Sequence, residues 1–262
     1  MEGAVRIRRR LLIGIALLGC GAGPRSDGHV STARGELRVW TTRAIATVLA
    51  EVGPEFERTS GSRLRVISDL PNGFARRAAA GEPFDLLISG SMAVDEWVRD
   101  GRVTAESRTD LARSGIGVCV RAGGPKPDIG TVDAFRDAVV SATSIAYLRV
   151  GSGTYLASLF ERLGIADAIR PKASRPEGDS VAILVAGGEV ELGLVVMTQI
   201  LTTPGVELVG PLPRDIQSYV TFTAAVGSAA VAPDAAKQLI TFLRGPVAAG
   251  VIVAQGMERP PF

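Results

Sequence analysis

From Glu36 onward the apolar positions switch between a period of two and a period near 3.6, so the chain reads as alternating strands and helices. A strand over 37–40 leads into 44–58, where Ile45, Val48, Leu49, Val52 and Phe56 recur at helical spacing and Gly53-Pro54 predicts an interruption. Residues 64–68 alternate as a strand, 73–80 are alanine-rich and helical, and 84–89 form an apolar strand that runs into Ser89-Gly90-Ser91. A helix over 92–99 follows, then a strand over 114–122 centred on Val118, Cys119 and Val120. Thr131 carries the hydroxyl of a helix N-cap ahead of Val132, Phe135, Val139 and Val140. After a strand over 144–148, the turn Gly151-Ser152-Gly153-Thr154 opens a helix through Leu156, Leu159, Phe160 and Leu163. Asp179 is placed to cap a helix over 181–186; strands over 191–196 and 219–226 and helices over 233–243 and 246–254 complete the pattern. Such alternation predicts an α/β fold with largely parallel sheets. With 262 residues there is room for two sheets and a ligand cleft between them.

Ahead of this body, Arg6, Arg8, Arg9 and Arg10 precede an apolar run over 11–18, too short to span about 30 Å of hydrocarbon, which predicts an export signal. Its end, Leu17-Leu18-Gly19-Cys20, resembles the lipobox of bacterial lipoproteins. That resemblance implies a signal peptide over 1–19, lipidation of Cys20 and a glycine-rich flexible tether over 20–35. Cleavage near Ala22 or Gly23, with Cys20 discarded, is the alternative. No other uninterrupted apolar stretch is long enough to predict a membrane crossing, so the lipid anchor is the expected membrane contact.

Composition narrows the chemistry. With 46% hydrophobic and 21% charged residues the chain is globular, and its 31 glycines and 15 prolines predict many short connections. The net charge of +2 comes from the leader, whose removal leaves 25 basic against 26 acidic residues. A body so balanced lacks the positive field that nucleic-acid binding exploits, so no nucleic-acid partner is expected. The one histidine, His29, lies behind the leader, and Cys20 and Cys119 form no CxxC. Histidine triads, metal clusters and thiolate zinc sites are therefore not expected, nor is any cofactor or catalytic residue. Cys119, in an apolar strand, reads as a buried hydrophobe. What remains is binding chemistry.

The stretches LRVWTTRAIATVLAEVGPEFERTSG, ARRAAAGEPFDLLISGS, SRTDLARSGIGVCVRAG, GVELVGPLPRDIQ and ITFLRGPVAAGVIVAQGME, spread over 36–260, resemble the type II periplasmic solute-binding proteins, nearest to the molybdate-binding component of bacterial ABC importers. The resemblance implies two lobes, each a mostly parallel sheet flanked by helices, joined by a two-segment hinge. Lobe 1 would hold 36–111 plus 227–262 and lobe 2 would hold 112–226. It also implies an exported monomer that closes on a small anion and presents it to an ABC permease, with no bond broken. In molybdate-binding members two serine hydroxyls, main-chain amides and a tyrosine hold the dianion. Here the serine positions fall on Ala44 and Pro71 and the tyrosine on Val196, while the amide positions fall on Ser152 and near Gly178 to Ser180. Backbone donors survive side-chain change; the side-chain donors do not. The expected ligand is a molybdate- or tungstate-type oxyanion, with a small organic carboxylate as the alternative. An enzyme on a similar two-lobed fold, such as a porphobilinogen-deaminase-like transferase, suits the export signal less well.

The candidate ligand residues cluster at helix starts, where free backbone N–H groups favour an anion. Thr41, Thr42 and Arg43 lie between the first strand and its helix; Thr42 either caps that helix or touches ligand, and the Arg43 guanidinium matches a carboxylate bidentately if it reaches the cleft. Asn72 and Gly73 open the next helix as cap or ligand contact. Ser152, Gly153 and Thr154 suit an anion nest, and Asp179-Ser180 caps a helix whose first amides are directed at the ligand. Ser152 is no nucleophile: the sequence around it is not GxSxG and no histidine is available as its base. Arg149 reads as a solvated side chain.

Overall fold

The computed structural model describes residues 35–178 and 180–259. The leader, the lipobox at Cys20, nearly all of the tether and Asp179 lie outside the described residues. Among the described residues there are nine strands: β1 (Glu36–Thr41), β2 (Arg63–Ser68), β3 (Leu86–Gly90), β4 (Thr109–Arg121), β5 (Ile145–Tyr147), β6 (Ala173–Ser174), β7 (Leu192–Val196), β8 (Val206–Pro211) and β9 (Tyr219–Val226). The helices are α1 (Arg43–Ser60), α2 (Pro71–Ala79), α3 (Ser91–Arg99), α4 (Val132–Ser141), α5 (Ser152–Arg162), α6 (Ala166–Ile169), α7 (Ser180–Gly187), α8 (Met197–Leu201), α9 (Pro233–Arg244) and α10 (Pro246–Ala254).

The strands join in the order β2-β1-β3-β9-β4-β7-β5-β6, with β8 also on β4. Each half keeps a parallel trio, β2-β1-β3 in one and β7-β5-β6 in the other. β9 and β4, antiparallel to their neighbours, carry the sheet from one half to the other. β4 belongs to both: residues 109–115 pair with β9, and 116–121 pair with β7 and β8. The implied second lobe over 112–226 includes β9, whose Phe222–Val226 pair with β3, the strand beside β1 in the first half.

Both faces of the inner strands are covered, which is why β3 and β7 read as near-continuous apolar runs. In the first half Leu37, Val39, Leu86 and Ile88 face α1, α9 and α10, while the alternate residues Trp40 and Leu87 pack with Phe74, Val94 and Trp97 on the side of α2 and α3. Trp40 stacks on Phe84 at 4.7 Å between centroids. In the second half Ile116, Val118 and Val120 pack with Phe135, Leu156 and Phe160 of α4 and α5. Cys119 faces the other way, onto Val181 and Val185 of α7.

The expected interruption at Gly53-Pro54 does not occur, for α1 runs unbroken through Pro54. Gly53 is buried, and a Cβ there would lie 3.2 Å from Leu64 Cδ1, so glycine lets the helix settle onto β2. Thr131 caps α4 as expected, accepting from Ala134 N–H at 3.1 Å. Among the described residues no single helix is long and apolar enough to cross a membrane. α9 and α10 reach that length only together, meet at 63°, and bury Leu239, Leu243 and Ile252 in the core.

Candidate functional site

A cleft of about 800 Å³ lies between the two halves of the sheet. Four helices of eight or more residues begin on its wall: α1 at Thr42-Arg43-Ala44, α2 at Leu70-Pro71, α3 at Gly90-Ser91-Met92 and α5 at Gly151-Ser152. Each sets the positive end of its dipole there, so their fields add in favour of an anion.

Three hydroxyls on this wall have no protein partner among the described residues: Thr42 Oγ1, Ser152 Oγ and Thr198 Oγ1. Ser152 is 8% exposed and Thr198 2%. Buried hydroxyls are normally paired, so three without a partner around one cleft point to a ligand or water that completes them. Arg43 and Thr154 line the same cleft. Thr198 escaped the sequence reading because α8 is a single short turn after a buried strand; its only signal was a threonine two residues past an apolar run. Its N–H donates to Ser114 Oγ at 3.4 Å, which ties that turn to β4.

The loop before α5 owes its shape to two glycines. Gly151, at φ 62° and ψ −124°, takes the first central position of a type II′ turn, closed by Gly153 N–H donating to Val150 O at 3.2 Å. At Gly153 a Cβ would sit 1.6 Å from Leu148 O. The Gly153 and Thr154 amides are spent on Val150 O and Gly151 O, so the nest supplies the Ser152 hydroxyl more than a ring of free amides.

Other expected residues lie elsewhere. Thr41 is fully buried outside the lining, and Asn72, Gly73 and Gly153 do not line it either. The start of α2 already holds an anion of the chain itself. The Asp69 carboxylate accepts from Leu70 N–H at 2.8 Å and Arg77 Nε at 3.1 Å, and a Cβ at Gly73 would lie 2.1 Å from it. Ser180 donates its hydroxyl to Glu177 O at 2.7 Å and is not on the wall. Asp179 is outside the described residues, and Arg149 pairs with Glu177. Beyond the expected set, Asp69, Tyr155 and Tyr219 line the cleft. Tyr155 donates to Ile216 O at 2.8 Å.

At the floor, Gln217 pins the crossing between the halves. Its carboxamide accepts from the N–H groups of Ile116 and Ser218, both at 2.9 Å, and donates to Ile116 O at 3.0 Å. The group lies against Gly115, where a Cβ would be 3.0 Å from Gln217 Nε2.

Comparison with known proteins places this architecture. The chain is 33% identical over 231 residues to aconitate isomerase of Pseudomonas sp, covering 86% of this chain and 88% of the relative. It is 26% identical to molybdate-binding protein ModA of Escherichia coli (strain K12), covering 87% and 91% of the two chains. The solved structure of the Azotobacter vinelandii periplasmic molybdate-binding protein superposes with a TM-score of 0.69 at 18% identity, over 86% of this chain and all of that one. The fold is thus the two-lobed α/β fold of the periplasmic binding proteins. A family profile described as bacterial extracellular solute-binding protein matches residues 37–258, and it is to that family that the chain belongs.

Proposed function

We propose that the chain is an exported binding protein that captures a small organic polycarboxylate of the aconitate type in its cleft and hands it to an ABC permease. The observation that carries this reading is the convergence of Arg43 with the unpartnered hydroxyls of Thr42, Ser152 and Thr198 where four helices begin. A guanidinium clamps a carboxylate bidentately, and hydroxyls on the opposite wall take further oxygens. The cleft volume lies within the range of about 300–1,000 Å³ of organic-ligand sites. Val196, at the tyrosine position of molybdate-binding proteins, lines the cleft without a donor, and so do Ala44 and Pro71 at the serine positions. The relative named for aconitate is also more similar in sequence than the molybdate-binding one.

The lobes on this reading part at Gly115/Ile116 and Gln217/Ser218, with 36–115 and 218–259 in one and 116–217 in the other. Cys20 carries the lipid that holds the monomer at the outer face of the membrane, with residues 21–35 as tether.

A second reading has a specific observation in its favour. The 33% identical relative is named as an isomerase, and Asp69 is the one carboxylate among the described cleft-lining residues. An unsaturated tricarboxylate that gave a methylene proton to Asp69 and regained it at the far end of the allyl system would be isomerised without a cofactor.

Thermal unfolding of the chain from Ser26, against trans-aconitate, cis-aconitate, citrate, molybdate, tungstate, sulfate and phosphate, tests the proposal. A ligand at 100 times its Kd adds about 2.7 kcal/mol of stability. Stabilisation by tricarboxylates supports the proposal, whereas stabilisation by molybdate and tungstate alone replaces it with an oxyanion importer. Proton NMR of the bound tricarboxylate over time separates holding from turnover. Arg43→Ala is expected to weaken carboxylate binding by about 1.5–3 kcal/mol.

A further inference from the structure

Tyr219 is the first residue of β9, directly after the crossing segment, and it lines the cleft floor. Its partner in the ladder is Gly115, which sets no side chain beside it. The Arg113 guanidinium carbon lies over the Tyr219 ring, 4.2 Å from the centroid. Arg113 is itself held by Glu258, which accepts from Nε at 3.0 Å and Nη2 at 2.7 Å. The backbones of these two residues exchange hydrogen bonds of 2.7 Å in both directions. Glu258 is thus a strut behind an aromatic ring that belongs to the cleft.

A guanidinium covers one face of a phenol ring, and Tyr219 keeps 40% of its surface exposed. Two consequences follow from this geometry. The ring is fixed before any ligand arrives, so a ligand that lies against it loses little side-chain entropy. The cation behind the ring also draws on its π density, which lowers the repulsion that the open face would offer to an electron-rich planar group.

We infer that Tyr219 is the specificity platform of the cleft, selecting a flat conjugated carboxylate over a saturated one, with Arg113 and Glu258 as its positioning residues. This rests on the proposal that the cleft takes a small organic polycarboxylate. A clasp that merely fastened the C-terminus to β4 would contribute to stability and leave ligand choice untouched, so the deciding quantity is a ratio of affinities.

The experiment is calorimetric titration of the chain from Ser26 with trans-aconitate and with tricarballylate, which has the same three carboxylates and no double bond. The native protein is expected to prefer trans-aconitate by about fivefold to tenfold, the size of one aromatic stacking contact. Tyr219→Leu brings that ratio close to one, Tyr219→Phe keeps it, and Arg113→Met and Glu258→Gln reduce it. An equal preference in native protein and Tyr219→Leu overturns the inference, as does a native protein that binds both ligands equally. Failure of both tricarboxylates to bind removes the carboxylate reading and the inference together, and is distinguished from the other outcomes by the absence of heat in either titration.

Discussion

Arg38 grips Asp85 through two parallel hydrogen bonds of 2.9 Å, from Nε and Nη2, and the carboxylate is fully buried. The same group accepts from the N–H groups of Arg38, Val231 and Ala232, so it ties β1 to the segment that leads into α9. Burial alone would raise its carboxyl pKa, but the Arg38 side chain and the three amides together hold it below the usual carboxylate range. Its stabilisation is therefore complete above the unfolded value of about 3.9 and is lost as pH falls through the lower folded value. Asp85→Ala, which strands a half-buried guanidinium and takes the acceptor from three backbone amides, is expected to cost about 3–5 kcal/mol in urea unfolding at pH 7, and less in acid. A loss that does not shrink toward low pH would contradict this account.

Gly153→Ala forces a Cβ onto a backbone carbonyl that cannot yield, while Gly151→Ala meets no atom within 4 Å and suffers only from its φ of 62°. Both variants should melt lower, with Gly153→Ala the worse of the two by about 1–3 kcal/mol, the usual range for an overpacked site. Thermal scans of the pair check the ranking; the reverse order would mean that the turn yields more easily than its contacts imply.

Thr198→Val should separate binding from folding. The hydroxyl has no protein partner among the described residues, so its removal relieves a desolvated group and leaves the unliganded melting temperature unchanged or higher. Ligand affinity should fall by about 0.5–1.5 kcal/mol, the net worth of one hydrogen bond. A variant that melts lower yet binds as well as native protein would place Thr198 in the scaffold instead of the site.

The Cys119 thiol is pushed up to about 12, chiefly by burial, with the Gly193 amide acting weakly in the opposite sense. In the chain from Ser26 it is the only cysteine, and it should resist thiol reagents at pH 8 while folded. Labelling should appear with unfolding, at the urea midpoint found by other probes. Rapid labelling of the native protein would show an opening around β4 and β7 that the packing does not suggest.

Much of this was legible in the chain because periodicity reports burial. Ile45, Val48, Leu49, Val52 and Phe56 do line the inner face of α1, and Thr131 does cap α4. The failures have local causes. The start of β4, Thr109 to Arg113, carries Asp110 and Arg113, whose partners Thr223 and Glu258 are more than 100 residues away, so its strand character was hidden from any local window. At the site, helix starts were readable as anion-seeking places, and Thr42, Arg43, Ser152 and Thr154 do meet at the cleft. Asn72 and Gly73 misled because Asp69, three residues before Asn72, occupies that helix start first.

β4 has a further consequence. Its thirteen residues run without a break from one core into the other, and its two ends pair with different partners. Neither half can melt without stripping hydrogen bonds from a strand that the other half also needs. The four separate hydrophobic clusters should therefore be lost in one cooperative transition, and amide exchange along β4 should report the global unfolding free energy in place of a local opening.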